Sequence, residues 1–87
     1  MVKKSVKVTN ESGLHARPAS ILVEEAGKFK SNIKIICGEE SFNAKSIIIV
    51  LTAGIVCGTE IEICADGVDE IEAVNTLVNL VKSGLRE

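Results

Sequence analysis

The chain has no tryptophan and no tyrosine, and it has only two phenylalanines among its 87 residues. Stacking of nucleic-acid bases on aromatic side chains, which supports the binding of single strands, is therefore unavailable. The net charge of −2 gives no general basic surface for nucleic acid or for an anionic membrane. We therefore expect neither as a partner. The core must be built from valine, isoleucine, leucine and alanine, and any basic patch must be local.

Long hydrophobic runs are also missing. The longest one, residues 47–51, is far shorter than the roughly 20 apolar residues that a membrane-spanning helix needs. The first six residues contain two lysines but lack the apolar segment of a signal peptide. These observations predict a cytoplasmic protein without membrane insertion.

The three cysteines, Cys37, Cys57 and Cys64, do not form a Cys-x-x-Cys pair, and an odd number does not suit a disulfide framework. In a reducing compartment they are most simply free thiols that pack as small apolar side chains. A zinc site with four ligands would have to recruit His15 from far away in the sequence. We therefore expect no metal and no cofactor.

Hydrophobic periodicity divides the first part of the chain into a strand, a helix and a second strand. Residues 2–9 alternate as a strand with one buried face. Residues 16–27 have the spacing of an amphipathic helix, and Gly27 is a candidate for its C-cap. Ile33 and Ile35 alternate with polar residues and indicate the second strand.

A turn at residues 38–40 leads into a short third strand around residues 41–43, which together with the second strand predicts a hairpin. The apolar run at 47–51 is ambiguous, because β-branched residues favour a strand whereas a preceding Ser46 is typical of a helix N-cap. We interpret it as a short helix. Residues 59–65 alternate clearly and predict a fourth strand.

A final helix is predicted between Asp69 and Gly84. Asp69 and Glu72 have the spacing of a helix start signal, and Gly84 is placed to end the helix. One apolar face is predicted, formed by Ile71, Val74, Leu77, Val78 and Val81.

The element order βαββαβα predicts an α+β fold, an open-faced β-sandwich in which a four-stranded antiparallel sheet carries three helices on one face. We expect one domain over residues 1–87, because there is no linker, repeat or low-complexity segment. Ile61 and Ile63 should face the helices. The positions expected on the open side are Glu60, Glu62 and Cys64.

The best indication of function is the segment around the chain's only histidine. His15 precedes Arg17 and Pro18, and proline suits the first turn of a helix. Unpaired backbone N–H groups and the positive end of the helix dipole make such a position a site for an anion. A neutral imidazole there can attack phosphorus, while the Arg17 guanidinium holds the incoming phosphoryl oxygens.

The segment Gly13-Leu14-His15-Ala16-Arg17-Pro18-Ala19, followed by Asn43-Ala44-Lys45-Ser46-Ile47 and Gly54-Ile55, resembles HPr, the histidine-containing phosphocarrier of the bacterial phosphoenolpyruvate-dependent sugar phosphotransferase system. The resemblance spans the whole chain. It implies that His15 accepts a phosphoryl group on Nδ1 from enzyme I and passes it to enzyme IIA domains. Arg17 would act as an electrostatic clamp, Pro18 would fix the turn, and Ala16 would let backbone N–H groups approach the phosphate.

The resemblance also implies a docking surface on the first two helices and a regulatory site at Ser46. A kinase/phosphorylase would modify Ser46, and a carbon-catabolite regulator would read the modified form. A carrier that presents one small face to successive partners should be a monomer. The expected docking residues are Ser20, Val23, Gly27, Lys45, Ile47, Ile48 and Leu51.

Several positions depart from the family pattern. Methionines are usual where Ile48 and Leu51 stand, a glycine is common at Ile49, and Glu24 replaces a polar or basic residue. Stiff β-branched side chains predict a narrower range of partners than methionine would. Two alternatives stay open: a regulatory paralogue that binds partners through Ser46 without transferring phosphate, and a hydrolase with His15 as general base. The hydrolase lacks a second catalytic group.

Overall fold

The computed structural model describes residues 1–86 and has the element order βαββαβα that the sequence predicts. The strands are β1 (Val2–Lys7), β2 (Asn32–Cys37), β3 (Glu40–Asn43) and β4 (Glu60–Asp66). The helices are α1 (Ala16–Ala26), α2 (Ile47–Thr52) and α3 (Glu70–Lys82).

The four strands form one antiparallel sheet in the order β1-β4-β2-β3. The open-faced α+β sandwich is therefore confirmed. The last strand in sequence, β4, lies between the first two, so that Ile63 is paired with Lys4 on one side and with Ile35 on the other. The two edges of the sheet are β1 and β3.

The core lies between the sheet and the helices and is aliphatic, as the composition requires. From the sheet it receives Ile33, Ile35, Ile61 and Ile63, all at most 2% exposed. From α1 and α3 it receives Leu22, Ala26, Ala73, Val74, Leu77, Val78 and Val81. Burial of this aliphatic surface is the main stabilising contribution to the fold.

One predicted core position is wrong. Ile71 is 65% exposed, and Ala73 occupies the core face of α3 in its place. Ile71 lies at the edge of the face whose centre is formed by Val74, Leu77 and Val81, and there it remains largely exposed. The remaining predicted positions on this face of α3 are buried.

Several predicted boundaries also differ. The first strand ends at Lys7 rather than at residue 9, and the buried Val8 donates its N–H to the carbonyl of Thr59 at 2.9 Å. Gly27 is the C-cap of α1, but its φ of −64° is right-handed, so the glycine is not needed for a left-handed turn.

The helix start signal at Asp69 and Glu72 does not form a reciprocal capping box. Asp69 is the N-cap of α3 but makes no side-chain capping bond, because its carboxylate instead accepts hydrogen bonds from the backbone of Lys30 and from Ser31. Glu70 accepts a hydrogen bond from the N–H of Gly67 at 3.1 Å. The start of α3 is therefore held mainly by a contact with a distant loop.

No helix within residues 1–86 has the length and apolar character needed to cross a membrane. Across the same residues, no group of three histidine, cysteine, aspartate or glutamate side chains is arranged to hold a metal ion.

Candidate functional site

His15 lies at the N-terminus of α1 and is exposed, as the sequence predicts. It is the N-cap residue, with extended backbone angles (φ −116°, ψ 162°), and its carbonyl oxygen accepts the N–H of Ala19 at 3.2 Å. Its side chain makes no capping hydrogen bond. The imidazole is therefore available to solvent at the end of the helix where the dipole favours an anion.

The segment before His15 is held tightly. Leu14 is 2% exposed and donates its N–H to the carbonyl oxygen of Ile55 at 2.9 Å. The side-chain amide of Asn10 donates to the carbonyl of Gly13 at 2.8 Å, and the N–H of Gly13 donates to the carbonyl of Asn10 at 3.1 Å. These contacts fix the backbone that carries the histidine.

Gly13 is required at its position for two reasons. Its φ is +66°, a conformation that favours glycine. In addition, a Cβ atom at Gly13 would lie 2.5 Å from the carbonyl oxygen of Ile55 and 2.7 Å from the Cα of Val56. The loop at residues 55–56 therefore packs directly against the backbone two residues before His15.

Ala16, directly after His15, has a φ of +25°, which is unusual for a residue with a side chain. The resemblance implies that the small Ala16 lets backbone N–H groups approach a phosphate, but it gives no sign of a positive φ. Strained backbone of this kind persists only where the surrounding structure enforces it, and such residues cluster at functional sites.

Arg17 and Pro18 lie in the first turn of α1 with different surroundings. Pro18 is buried, and it occupies a position where a missing N–H costs no hydrogen bond. Arg17 is exposed, and its guanidinium forms no ion pair or hydrogen bond with any other residue that the structure describes. The imidazole of His15 and the guanidinium of Arg17 therefore lie at the same end of α1, and both are free to contact a ligand.

An ion-pair cluster fixes the other end of α1. Glu25 accepts hydrogen bonds from Lys28 at 3.1 Å and from Arg86 at 2.9 Å, and these partners hold the pKa of Glu25 below its usual range. Glu24, by contrast, is exposed. A partner that approaches α1 from solvent would meet Glu24.

Ser46 precedes α2 as predicted, but its hydroxyl does not cap the helix. Its carbonyl oxygen accepts the N–H of Val50 at 3.0 Å, and its own N–H donates to the carbonyl of Asn43 at 3.2 Å. The side chain is half-buried and makes no capping hydrogen bond. The expectation of a side-chain N-cap at Ser46 is therefore wrong, because the backbone alone forms this start.

The expected docking residues lie mostly on the exposed sides of α1 and α2, which pack against each other. Ser20 and Gly27 are exposed, and Val23 is half-buried. On α2, only Val50 is buried, so that four aliphatic side chains reach solvent. Their exposed fractions are 37% for Ile47, 71% for Ile48, 41% for Ile49 and 37% for Leu51.

Lys45 differs from the other expected docking residues. It is half-buried, and its ammonium group donates to the carbonyl oxygen of Phe29 at 2.6 Å. It therefore ties the segment before α2 to the loop after α1, rather than extending freely as a charge at the rim of the surface.

Two further exposed aliphatic residues were not among the expected docking residues. Ile49 is the fourth solvent-facing residue of α2, and the unbroken apolar run at 47–51 was a signal that it would be exposed, since a six-residue helix cannot bury all its faces. Val56 is 62% exposed and lies beside Gly13. No sequence pattern indicated it.

Comparisons with known proteins identify the family. A family model described as the PTS HPr component phosphorylation site matches residues 2–83. The phosphocarrier protein HPr of Mycoplasma capricolum is 51% identical over 77 residues, which cover 88% of this chain and 86% of that protein. The chain belongs to the HPr phosphocarrier family of the phosphotransferase system.

Solved HPr structures have the same fold. HPr-C-His from Thermoanaerobacter tengcongensis superposes with a TM-score of 0.96 at 38% identity, covering 100% of this chain and 98% of that one. Crh, a catabolite repression HPr of Bacillus subtilis described as a dimer with a swapping domain, gives a TM-score of 0.77 at 37% identity, with 95% of both chains covered. The chain is thus similar in fold to both HPr and Crh, at nearly the same sequence identity.

Proposed function

We propose that His15 accepts a phosphoryl group from phosphorylated enzyme I and passes it to enzyme IIA domains during sugar uptake. The observation that carries this proposal is the free imidazole of His15 beside the free guanidinium of Arg17 at the N-terminus of α1. The whole chain, residues 1–87, acts as a single HPr-like domain, as a monomer in the cytoplasm.

In the proposed reaction, Nδ1 of His15 attacks phosphorus, and a nitrogen–phosphorus bond forms as the bond to enzyme I breaks. Arg17 and the backbone N–H groups at the helix start neutralise charge on the phosphoryl oxygens. Ala16 keeps that approach unobstructed and Pro18 holds the turn. Because the site is exposed and has one arginine, it stabilises the phosphohistidine only modestly, so that the phosphoryl group can be transferred onward.

Partners would dock on the surface formed by α1 and α2. The four exposed aliphatic residues of α2 give an apolar centre, which is typical of a protein interface. On the α1 side, the surface includes Ser20, Val23 and Gly27. Lys45 contributes by holding α2 against the loop after α1.

The experiment is intact mass measurement after incubation with enzyme I and phosphoenolpyruvate, repeated after brief acid treatment that cleaves phosphohistidine but spares phosphoserine. We expect one acid-labile phosphate, which His15→Ala loses without a change in its circular dichroism spectrum. Ile71→Ala, a substitution at an exposed position on α3, is the matched control and should be phosphorylated normally. Phosphorylation of His15→Ala would contradict the proposal.

A second function is regulation through Ser46, by a kinase/phosphorylase and a carbon-catabolite regulator. It is favoured by the free hydroxyl of Ser46 beside the exposed face of α2, and by the similarity to Crh. About two added negative charges would be placed next to an apolar docking surface, which would weaken some complexes and create a site for others. If the chain is a purely regulatory paralogue, it will dock without forming phosphohistidine.

Incubation with an HPr kinase and ATP tests this second function. One acid-stable phosphate is expected, and Ser46→Ala should not acquire it. Equal modification of Ser46→Ala would place the phosphate elsewhere and refute the assignment. Light scattering during size-exclusion chromatography would measure the oligomeric state, and a dimer would contradict the proposed monomer.

A further inference from the structure

The open face of the sheet has a cavity of about 310 Å³ at the end of the sheet that is remote from His15. The register brings one row of side chains across all four strands on this face: Lys3, Cys64, Lys34 and Asn43. The neighbouring row contains Asp66 and Asn32. The cavity is lined by members of both rows and by Met1, Ile33 and Lys45.

The position of this cavity separates it from the candidate phosphorylation site. It lies where β4 ends and β1 begins, since Val2 is paired with Ala65. The loop that leads to His15 leaves the sheet from the other end of β1, where Lys7 is paired with Glu60. Of the residues that line the cavity, only Lys45 also has a part in the proposed phosphoryl transfer, through its contact with Phe29.

Positive charge predominates around the cavity, although the protein as a whole has a net charge of −2. Lys34 and Lys45 line it, and Lys3 lies in the same row. Lys34 has no hydrogen-bond or ion-pair partner among residues 1–86. Among residues 1–86, the lining has one carboxylate, that of Asp66, which lies 3.9 Å from the amino group of Met1.

The remaining lining supplies the hydrogen-bonding amides of two asparagines and the uncharged side chain of Cys64. Asn32 and Asn43 carry amides that can donate to oxygen atoms. Cys64 is only 7% exposed, because Lys3 and Lys34 flank it on the neighbouring strands.

We propose that this cavity binds a small organic anion, with Lys34 as the principal cation and the two amides as hydrogen-bond donors. Its volume is at the lower end of the range for small-molecule sites, which is roughly 300–1,000 Å³, so the ligand has few heavy atoms. The recognised chemistry is a carboxylate or a phosphate ester. Because few atoms are in contact, the expected dissociation constant is in the millimolar range.

The first test is a titration followed by backbone amide chemical shifts, with malonate, 2-phosphoglycolate and neutral malonamide as probes at constant ionic strength. Malonate and phosphoglycolate should shift the amides of Asn32, Lys34 and Cys64 with saturation. Comparing the two anions distinguishes a carboxylate from a phosphate as the preferred group. Malonamide has nearly the shape of malonate without its charge and should produce no saturable shift.

Substitutions of the charged residues at the cavity should change the affinity for the anion in opposite directions. Lys34→Gln should lose binding, whereas Asp66→Asn should strengthen it by removing a carboxylate that repels the ligand. Lys7→Gln is the matched control, because it removes a lysine from the same face at the other end of the sheet. Loss of binding in Lys7→Gln as large as in Lys34→Gln would mean that only general attraction by lysines is measured, and would refute the site.

A second measurement uses Cys64 as a reporter. In a protein carrying Cys37→Ser and Cys57→Ser, malonate should slow the alkylation of Cys64 by N-ethylmaleimide, and malonamide should not. Unchanged alkylation, or saturable shifts confined to residues 15–17, would overturn the proposal. Neither measurement depends on phosphorylation of His15, so this proposal and the phosphocarrier proposal can fail separately.

Discussion

The carboxylate of Asp69 accepts hydrogen bonds from both the hydroxyl and the backbone N–H of Ser31, 38 residues earlier in the chain. The two distances are 2.5 Å and 2.9 Å, and the N–H of Lys30 donates to the second carboxylate oxygen at 2.8 Å. The loop between α1 and β2 is thereby joined to the start of α3. Gly67 permits this approach, because a Cβ there would lie 2.6 Å from the Cα of Ser31.

The contact with Ser31 predicts a pH dependence of stability. The hydrogen bond from the Ser31 hydroxyl, followed by that from the Lys30 N–H, lowers the pKa of Asp69 from 3.8 to about 2. A carboxyl whose pKa is lower in the folded state stabilises the fold above its unfolded pKa, and this stabilisation is lost as pH falls through the folded pKa. The loss is therefore expected between about pH 4 and pH 2.

Denaturation by urea at a series of pH values measures this contribution. Asp69→Asn and Ser31→Ala should both lower the free energy of unfolding at pH 6. Both should also lose less stability than the unmodified protein when the pH falls from 4 to 2. Parallel curves for the variants and the unmodified protein would show that Asp69 is not the group responsible.

Two glycines with similar backbone angles should respond differently to alanine. Gly13 has a φ of +66° and would place its Cβ against Ile55 and Val56, whereas Gly54 has a φ of +70° and would meet no atom within 4 Å. Gly54→Ala should cost about 1–2 kcal/mol, from backbone strain alone. Gly13→Ala should cost about 1–3 kcal/mol more, because of overpacking.

Chemical denaturation of Gly13→Ala and Gly54→Ala provides the comparison. The variant at Gly13 should also slow phosphorylation of His15, since the same loop positions the histidine. Equal destabilisation by the two substitutions would mean that the packing of residues 55–56 against Gly13 is not tight.

Ile48 and Ile71 are similarly exposed, at 71% and 65%, but they lie on different surfaces. Ile48→Asp should raise the concentration needed for half-maximal phosphorylation by enzyme I at least about tenfold, because a charge would enter an apolar interface. Ile71→Asp should leave that concentration unchanged. Initial rates measured at several concentrations of each variant test the prediction, and equal effects would remove α2 from the docking surface.

Leu77 and Ile71 form a second comparison, on α3. Leu77 is fully buried, so Leu77→Ala should lower the free energy of unfolding by about 2–5 kcal/mol. Ile71→Ala should change it by less than about 0.5 kcal/mol, since no cavity is left. Thermal or urea denaturation distinguishes the two. A large loss at Ile71 would indicate that another part of the molecule covers this side chain.

The sequence predicted the fold well because the alternation of β4 and the helical spacing of α3 are strong local signals. The error at Ile71 arose because periodicity indicates a helix face but not where the covered part of that face ends. The side-chain contacts of Ser46 and Asp69 also could not be predicted from local sequence patterns. Both were correctly placed at helix starts, but the partners of their side chains depend on distant residues that local rules cannot anticipate.

At the candidate site, the exposure of His15 and its position at a helix start followed from Pro18 and the neighbouring residues. The positive φ of Ala16 did not, because alanine carries no local signal for that conformation. The hydrogen bond from Lys45 to the carbonyl of Phe29 also could not be predicted, since 16 residues separate the two in the chain.

The place of β4 in the sheet has a consequence for synthesis of the protein. β1 is paired only with β4, and β2 is paired with β4 and β3. During translation β1 therefore has no sheet partner, and β2 has only β3, until residues 60–66 leave the ribosome. Only the β2–β3 hairpin is local enough to form earlier. Folding therefore has to await nearly the whole chain, and the first strand, made earliest, is among the last to find its neighbour.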